Sequence, residues 1–171
     1  EMEVRFDLTQ PVCVLTQDTI QRQGKEIPLY KKVALATNQT CIVLFSSLND
    51  KLLLRNTDCD WDDFLSPVAP FTIESCQAQD EITVLFSSGT TGNPKAIPWD
   101  HSAPLKSAND GHLHHDLKPA DVVCWPTSLG WMMGPWLVFT SLINKSTIAL
   151  NNDAPTTREF GVFVQHAAVT I

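Results

Sequence analysis

The second half of the chain alternates between short apolar runs, rich in β-branched residues, and longer segments with helical spacing. The short runs are residues 121–125, 146–150 and 169–171, and residues 135–144 and 156–167 lie between them. Such runs, bounded by turn residues, are typical of buried strands. A strand–helix–strand–helix–strand order predicts parallel strands covered by helices. Because the third strand begins at the last three residues, we expect this chain to be a piece truncated at least at its C-terminal end.

The helix after the second of these strands has a start signal of its own. Thr156 is followed three residues later by Glu159, which is the spacing of a capping box. Apolar residues then follow at helical spacing, and they are Phe160, Phe163, Val164 and Ala167. This spacing predicts a helix that begins near Thr156 and buries one face.

The first half of the chain gives a weaker version of the same alternation. Residues 11–16 and 40–45 are strand-like, and residues 28–36 predict a helix that has proline in its first turn. Residues 51–55 favour another strand, residues 61–65 a short helix, and residues 66–79 an irregular connection. The whole pattern predicts an α/β fold, with a mostly parallel sheet flanked by helices, in one partial domain over residues 1–171.

Composition excludes several classes of protein. The 171 residues are 43% hydrophobic, enough for a core, and the net charge of −7 argues against binding to nucleic acid or to an anionic membrane. The five cysteines are dispersed without a CxxC pair, which favours reduced intracellular thiols. No signal peptide is visible, although a chain that starts at Glu1 leaves targeting open. Residues 122–144 carry no charge, but Pro126 and Pro135 argue against a membrane span.

The richest chemistry lies in residues 86–95, which follow the apolar run at residues 82–86. This segment combines glycines with several hydroxyl side chains and ends in Lys95. Glycines let backbone N–H groups approach a ligand, hydroxyls donate to anionic oxygens, and lysine is a compact positive charge. The segment therefore predicts a loop that binds polyphosphate. A β-turn without a ligand is the alternative.

The loop is not a Walker A motif, although Lys95 stands at the correct offset from Gly89. Pro94 precedes the lysine and has no N–H to donate to a phosphate, and Ala96 follows it without a hydroxyl for magnesium. Residues 96–99 predict extended chain, whereas a Walker loop opens a helix. A Rossmann GxGxxG is also absent from the sequence.

The run from Ser87 to Lys95, SSGTTGNPK, closely resembles the phosphate-binding signature of adenylate-forming enzymes. This superfamily includes acyl-CoA synthetases, luciferases and peptide-synthetase adenylation domains. Its pattern is a hydroxyl residue and Ser-Gly-Ser/Thr-Thr-Gly-x-Pro-Lys, usually followed by glycine. Ala96 replaces that glycine, and we expect the change to affect the flexibility of the loop and not its identity.

A second segment extends the resemblance. Residues 121–136 are similar to the part of acetate-type acyl-CoA synthetases in which a Gly-Trp pair precedes the lining of the acyl pocket. The similarity of residues 16–19, 27–30 and 131–136 is to plant peroxisomal acyl-activating enzymes. The residues implied for the acyl pocket are Trp131, Met132, Met133 and Gly134. Packing of the aromatic and methionine side chains in the core is an equally good interpretation.

The resemblance implies activation of a carboxylate by ATP to an acyl-adenylate, followed by transfer to coenzyme A, with Mg²⁺ accompanying ATP. It implies a set of phosphate-binding residues, namely Ser87, Ser88, Gly89, Thr90, Thr91, Gly92 and Lys95. The catalytic residues are expected beyond Ile171, so the chain alone is expected to be inactive. The alternative is a truncated, non-catalytic protein that binds a nucleotide or a partner. The resemblance places the protein in peroxisomes, otherwise in the cytoplasm, and leaves the acid and the oligomeric state open.

Two further patterns suggest metal sites, and neither is convincing. His112, His115 and Asp116 have helical spacing, but they stand at the end of a predicted helix over residues 102–115, where exposed histidines are favoured by the helix dipole. Residues 58–63 begin like a calcium loop, yet its glycine and final glutamate are missing. We predict no metal site, and we expect these acids to favour the start of a short helix.

Overall fold

The computed structural model of the protein describes residues 1–22, 24–38, 40–45, 52–65, 70–88, 92–152 and 154–171. The chain divides into two compact units, Glu1–Glu74 and Ser75–Ile171. The division falls within the segment 66–79 that the sequence predicts to be irregular. Its described residues, 70–79, form neither helix nor strand, which confirms that prediction for this part.

The described residues of the first unit form three helices and five strands. In chain order they are α1 (Met2–Thr9), β1 (Cys13–Gln17), β2 (Thr19–Arg22), β3 (Lys25–Pro28), α2 (Leu29–Ala36), β4 (Cys41–Phe45), β5 (Cys59–Asp60) and α3 (Trp61–Phe64). β2 and β3 form an antiparallel hairpin, and β1, β4 and β5 form a parallel sheet with β4 in the middle.

The middle strand carries the core of this unit. Ile42, Val43 and Leu44 of β4 are almost completely buried, as expected for a parallel strand covered on both faces. Tyr30 and Val33 of α2 belong to the buried core that includes Ile42 and Leu44. The predicted strands at residues 11–16 and 40–45 and the helix at residues 28–36 are therefore confirmed.

The predicted strand at residues 51–55 is wrong for residues 52–55, which pair with no strand, and Lys51 lies outside the described residues. Arg55 is held by contacts other than a strand ladder. Its backbone N–H donates to the Tyr30 hydroxyl (3.0 Å), and its guanidinium donates to the Thr40 carbonyl (3.0 Å). The strand that pairs with β4 on the side away from β1 is β5. It has only 2 residues, too few to show a hydrophobic pattern in the sequence.

Asp58 is a buried carboxylate at the centre of this contact region, and its side chain is 0% exposed. It accepts hydrogen bonds from the Tyr30 hydroxyl (2.8 Å), the Ile42 N–H (3.1 Å), the Thr57 hydroxyl and the Arg55 guanidinium. Burial alone raises the pKa of Asp58, but these hydrogen bonds outweigh burial and lower it to about 2. The expectation that the acids at residues 58–63 serve the following helix is therefore wrong for Asp58. It is confirmed for Asp60, whose side chain caps α3.

In the second unit, the part of the chain that the structure describes forms three helices and four strands. In chain order they are β6 (Glu81–Ser87), β7 (Lys95–Asp100), α4 (Ser102–His115), β8 (Val122–Val123), α5 (Met133–Ile143), β9 (Thr147–Ile148) and α6 (Arg158–His166). β6 and β7 are antiparallel, whereas β8 and β9 are parallel. The structure thus confirms the α/β class with parallel pairing, and it adds two antiparallel hairpins.

The last three residues lie along the other edge of β8. The Ile171 N–H donates to the Val122 carbonyl (3.3 Å), and the Cys124 N–H donates to the Ile171 carbonyl (2.9 Å). This alternation follows the pattern of a parallel ladder, while the Val123 carbonyl accepts from Ala149 beyond β9. The predicted parallel pairing is confirmed for the runs at residues 121–125 and 146–150, whereas residues 169–171 are not a strand although Ile171 bonds to β8.

Helices α4 and α5 pack closely because Gly111 has no side chain. A Cβ on Gly111 would lie 1.8 Å from Oγ1 of Thr140, so the hydroxyl occupies the space that the glycine leaves. Asn144 joins the same helices, since its Nδ2 donates to the carbonyls of Ala108 and Thr140, both at 2.9 Å. Leu137 of α5 is fully buried in the core of this unit.

The start of α6 differs by one residue from the capping box in the sequence. The cap is Thr157 and not Thr156, because the Thr157 hydroxyl accepts from the Phe160 N–H (3.4 Å) while its backbone is extended. Glu159 lies in the first turn. The predicted apolar face is confirmed, since its four residues are all half-buried.

Across the described parts of the chain, no helix combines the length and the apolar character that a membrane crossing requires. Residues 122–144 form β8, a loop and α5, which confirms the predicted strand–loop–helix.

Candidate functional site

The glycine and hydroxyl segment connects the two strands of the β6–β7 hairpin. Ser87 is the last residue of β6, Lys95 is the first residue of β7, and the two face each other in the ladder. Leu85 of β6 is buried and Pro94 is buried immediately before Lys95, so both ends of the connection are fixed by packing. The strand after the loop confirms the extended chain predicted there and agrees with the exclusion of a Walker loop.

The described residues of the loop leave its polar groups accessible. Ser88, Gly92 and Lys95 are exposed, while Gly89, Thr90 and Thr91 lie outside the described residues. Gly92 has a φ of 85°, in the left-handed region that favours glycine. Among the described carboxylates, none forms an ion pair with the Lys95 ammonium. The predicted phosphate ligands that are described therefore lie at one end of one hairpin, with a positive charge that is available to an anion.

The strand after the loop leads directly into α4 through a cap made by Asp100. Its Oδ1 accepts from the backbone N–H of Ser102 (2.9 Å) and from the Ser102 hydroxyl. These two hydrogen bonds lower the pKa of Asp100 below its usual value. The cap fixes the direction in which the chain leaves the hairpin.

The second candidate region is the connection from β8 to α5, residues 124–132. It follows the carboxyl end of a parallel strand, where ligand sites of α/β sheets occur. Short backbone hydrogen bonds define its turns, from Thr127 N–H to the Trp125 carbonyl (2.7 Å) and from Trp131 N–H to the Ser128 carbonyl (3.0 Å). We call residues 124–132 the β8–α5 loop.

Two of the four predicted acyl-pocket residues are exposed at this loop. Trp131 is 70% exposed and Met132 is 63% exposed, whereas Met133 is half-buried and Gly134 is buried. The interpretation of Trp131 and Met132 as core residues is therefore wrong for this chain. Two large apolar side chains that face outward at the end of a parallel strand are available to an apolar ligand.

Gly134 is needed for the close packing of the loop against α5. A Cβ on Gly134 would lie 2.4 Å from both the Cα and the carbonyl oxygen of Leu129. Since both atoms belong to the backbone, no rotation of a side chain relieves that overlap. Gly134 therefore positions the loop that carries Trp131 and Met132, and it has no side chain to line a pocket.

An aromatic cluster supports the loop at its other end. Trp125 and Trp136 meet edge to face, with ring centroids 5.8 Å apart, and His115 of α4 meets Trp136 in the same way at 5.3 Å. Sequence reasoning missed Trp125 because it stands at the end of an apolar strand and looks like a core residue. It is 41% exposed.

The histidines of α4 make separate contacts. His112 Nδ1 lies 3.5 Å from the Leu117 carbonyl oxygen, and His114 Nε2 lies 3.9 Å from Asp110. Within the residues that the structure describes, no three His, Cys, Asp or Glu side chains come together as a metal site would require. The prediction of no metal site stays a prediction.

Comparison with known proteins extends the resemblance seen in the sequence. Residues 1–171 match the family described as AMP-binding enzyme. Hexanoyl-CoA synthase of Cannabis sativa is 45% identical over 177 aligned residues, which cover 100% of this chain and 25% of that protein. Probable acyl-activating enzyme 17, peroxisomal, of Arabidopsis thaliana is 42% identical, with 100% and 24% covered. The chain thus spans about a quarter of the length of these relatives.

A solved structure agrees with these matches. Acetoacetyl-CoA synthetase from Streptomyces lividans has a TM-score of 0.84 to this chain at 27% identity, and the match covers 98% of this chain and 27% of that one. The two units, the hairpin and the β8–α5 loop therefore occur within a fold known from an acyl-CoA synthetase. The chain belongs to the family of AMP-binding enzymes.

Proposed function

We propose that the protein that carries this chain activates a carboxylic acid with ATP and transfers the acyl group to coenzyme A. One carboxylate oxygen attacks the α-phosphorus of ATP, the new O–P bond forms, and pyrophosphate leaves with the electrons of the broken P–O bond. The sulfur of coenzyme A then attacks the acyl carbon and AMP leaves. Both steps depend on positioning and on stabilisation of charge.

The observation that carries the proposal is the signature loop on the β6–β7 hairpin. In this proposal the hydroxyls of Ser87, Ser88, Thr90 and Thr91 donate to the β- and γ-phosphates, together with backbone N–H groups at Gly89 and Gly92. Lys95 adds charge at the base of the loop. The exposure of Ser88 and Lys95, and the absence of a described ion-pair partner for Lys95, support this role.

The proposed acid is a larger one than acetate. Met132 and Met133 are large apolar residues in the segment that resembles the lining of the acyl pocket, and Trp131 adds a large exposed apolar surface beside them. The relatives named after hexanoyl-CoA and acetoacetyl-CoA formation support an aliphatic or oxo acid of medium size. Burial of each additional CH₂ favours binding by about 0.8 kcal/mol.

Magnesium enters this proposal only as part of the substrate Mg-ATP. The described residues offer no cluster of metal ligands, and those of the loop include no carboxylate. We therefore assign no protein ligand to the ion.

The proposal also concerns the place of this chain in the whole protein. Because the relatives are about four times longer, we infer that residues 1–171 form an inner part of a large N-terminal adenylation domain and that other segments supply the catalytic groups. The peroxisomal location named for an Arabidopsis relative supports the same compartment for this protein.

The test is ATP–pyrophosphate exchange by the full-length protein with acids from acetate to decanoate. Lys95→Ala should raise the KM for ATP on the order of tenfold, because a hydrogen bond to a charged group is lost, and should change kcat little. Lys25→Ala removes the same charge from an exposed position on β3 and should leave the KM unchanged.

The outcomes separate the two interpretations of the loop. Exchange that depends on one class of acid, with a raised KM in Lys95→Ala, supports the synthetase. Saturable ATP binding without exchange for any acid would instead support the non-catalytic nucleotide-binding protein. Equal KM values for ATP in Lys95→Ala and Lys25→Ala would contradict the role of Lys95.

A further inference from the structure

We propose that Trp125 determines the size of the acyl group that the protein accepts, and that Trp136 and His115 hold it in place. This inference rests on the proposed function, since it concerns the acid-binding region of the same enzyme. It adds to the four residues implied by the resemblance a side chain that lies earlier in the chain.

The position of Trp125 is the first argument. It follows β8 within two residues and opens the β8–α5 loop, so its backbone lies at the carboxyl end of a parallel strand. Its side chain is 41% exposed although the strand before it enters the core, where Val123 is 3% exposed. An indole that is partly covered on one side and open on the other is suited to contact a ligand.

The second argument is the link to the predicted pocket through Trp136. Trp136 stands one helical turn after Met132 and Met133, and its N–H donates to the Met132 carbonyl (3.4 Å). Side chains in a helix point back toward its N-terminus, so Trp136 leans over the turn that carries the two methionines. Trp125 packs edge to face on Trp136, at 5.8 Å and 63°. Trp125 is therefore linked through Trp136 to the helical turn that begins at the two methionines.

The third argument is rigidity. His115 also meets Trp136, with ring centroids 5.3 Å apart, so Trp136 contacts both α4 and the β8–α5 loop. The far end of that loop is fixed by the contact of Leu129 with Gly134. Aromatic pairs of this geometry contribute about 0.5–1.5 kcal/mol beyond the area that they bury. A pocket surface that is held in place at both ends does not move aside for a longer acyl chain. It therefore discriminates between acyl chains of different length.

The experiment compares kcat/KM for hexanoate and decanoate in the full-length protein. Trp125→Ala enlarges the pocket and should raise the ratio of decanoate to hexanoate on the order of tenfold, with the KM for ATP unchanged. Trp125→Phe keeps an aromatic ring, folds more readily, and should shift the ratio in the same direction by a smaller factor. Leu113→Ala, at an exposed position on α4, is the control and should leave kcat/KM unchanged for both acids.

His115→Ala tests the positioning role separately. It should change the KM for the acids without changing kcat or the KM for ATP, whereas a purely structural role would affect both substrates alike. A chain-length ratio within twofold of wild type in both Trp125 variants would overturn the inference while the proposed function stands. A wild-type protein that activates no acid would instead remove the proposed function, and this inference with it.

Discussion

Arg55 donates a hydrogen bond to each carboxylate oxygen of Asp58, with Nε 2.7 Å from Oδ2 and Nη2 2.8 Å from Oδ1. The Asp58 side chain is completely buried, and that of Arg55 is 26% exposed. Such a two-point contact orders the guanidinium, which also donates to the backbone carbonyls of Thr37 and Thr40 between α2 and β4. The pair therefore joins three separate segments of the first unit.

Removal of this carboxylate should destabilise the protein. Asp58→Ala leaves a partly buried guanidinium and the Tyr30 hydroxyl without their acceptor, so we expect a loss of roughly 3 kcal/mol in the free energy of unfolding. Urea denaturation followed by circular dichroism measures it. Asp62→Ala removes an exposed carboxylate in the first turn of α3 and should cost below about 1 kcal/mol. Equal losses in the two variants would show that the buried contacts of Asp58 contribute nothing extra.

The same carboxylate should make stability depend on acid pH. Because the folded-state pKa of Asp58 is lowered to about 2 from 3.8, its contribution is complete above pH 4 and is lost as the pH falls through about 2. The shift corresponds to roughly 2 kcal/mol. The difference in unfolding free energy between wild type and Asp58→Asn, measured from pH 6 to pH 2, should shrink by that amount. A constant difference would mean that the pKa is not lowered.

A methyl group at Gly111 should disturb the packing of α4 against α5 and destabilise the protein. Gly111→Ala places a Cβ 1.8 Å from Thr140 Oγ1 and should cost roughly 1–3 kcal/mol through overpacking. Thr140→Ala removes that oxygen, so the double variant should be more stable than the sum of the single changes predicts. Gly161→Ala on α6 is the control, because a Cβ there meets nothing within 4 Å. It should be neutral or stabilising by up to about 1 kcal/mol.

A methyl group at Gly134 should weaken the binding of the acid and leave the binding of ATP unchanged. Gly134→Ala forces the Leu129 backbone away from α5, which displaces the loop that carries Trp131 and Met132. We expect the KM for the acid to rise on the order of tenfold in the full-length protein, with little change in the KM for ATP. Gly130→Ala lies in the same loop, but its Cβ would meet only Ser128 Oγ at 3.8 Å, so it should behave like wild type. Similar KM values in the two variants would argue against a positioning role of Gly134.

Much of the fold was predictable because the apolar runs are local signals. The bounds of α4 and the parallel pairing of β8 with β9 follow from periodicity and turn residues. The strand β5 was not predictable, since 2 residues carry no period. The contact of Arg55 with Tyr30 joins positions far apart in sequence, and no local pattern encodes it.

The candidate site, too, was only partly predictable from the sequence. The segment from Ser87 to Lys95 stands out as a candidate from residue types alone, because phosphate binding needs glycine, hydroxyls and a positive charge close together, and its phosphate-binding role stays a prediction. The exposure of Trp131 and Met132 was not predictable from the sequence, since the same residue types fill cores and line pockets. The role of Trp125 depends on a contact with Trp136 across a loop and a helical turn, which only the three-dimensional arrangement reveals.

The ladder position of Ser87 opposite Lys95 has a consequence for how this part of the family can change. Neighbouring strands of a sheet stay about 5 Å apart, so the hairpin fixes the gap that the connection must bridge. Leu85 and Pro94 are both buried, so a change of residue type at the exposed positions Ser88, Gly92 or Asn93 should leave the packed ends of the connection in place. The exposed, described positions of this connection can therefore vary in residue type while the hairpin that carries them stays the same.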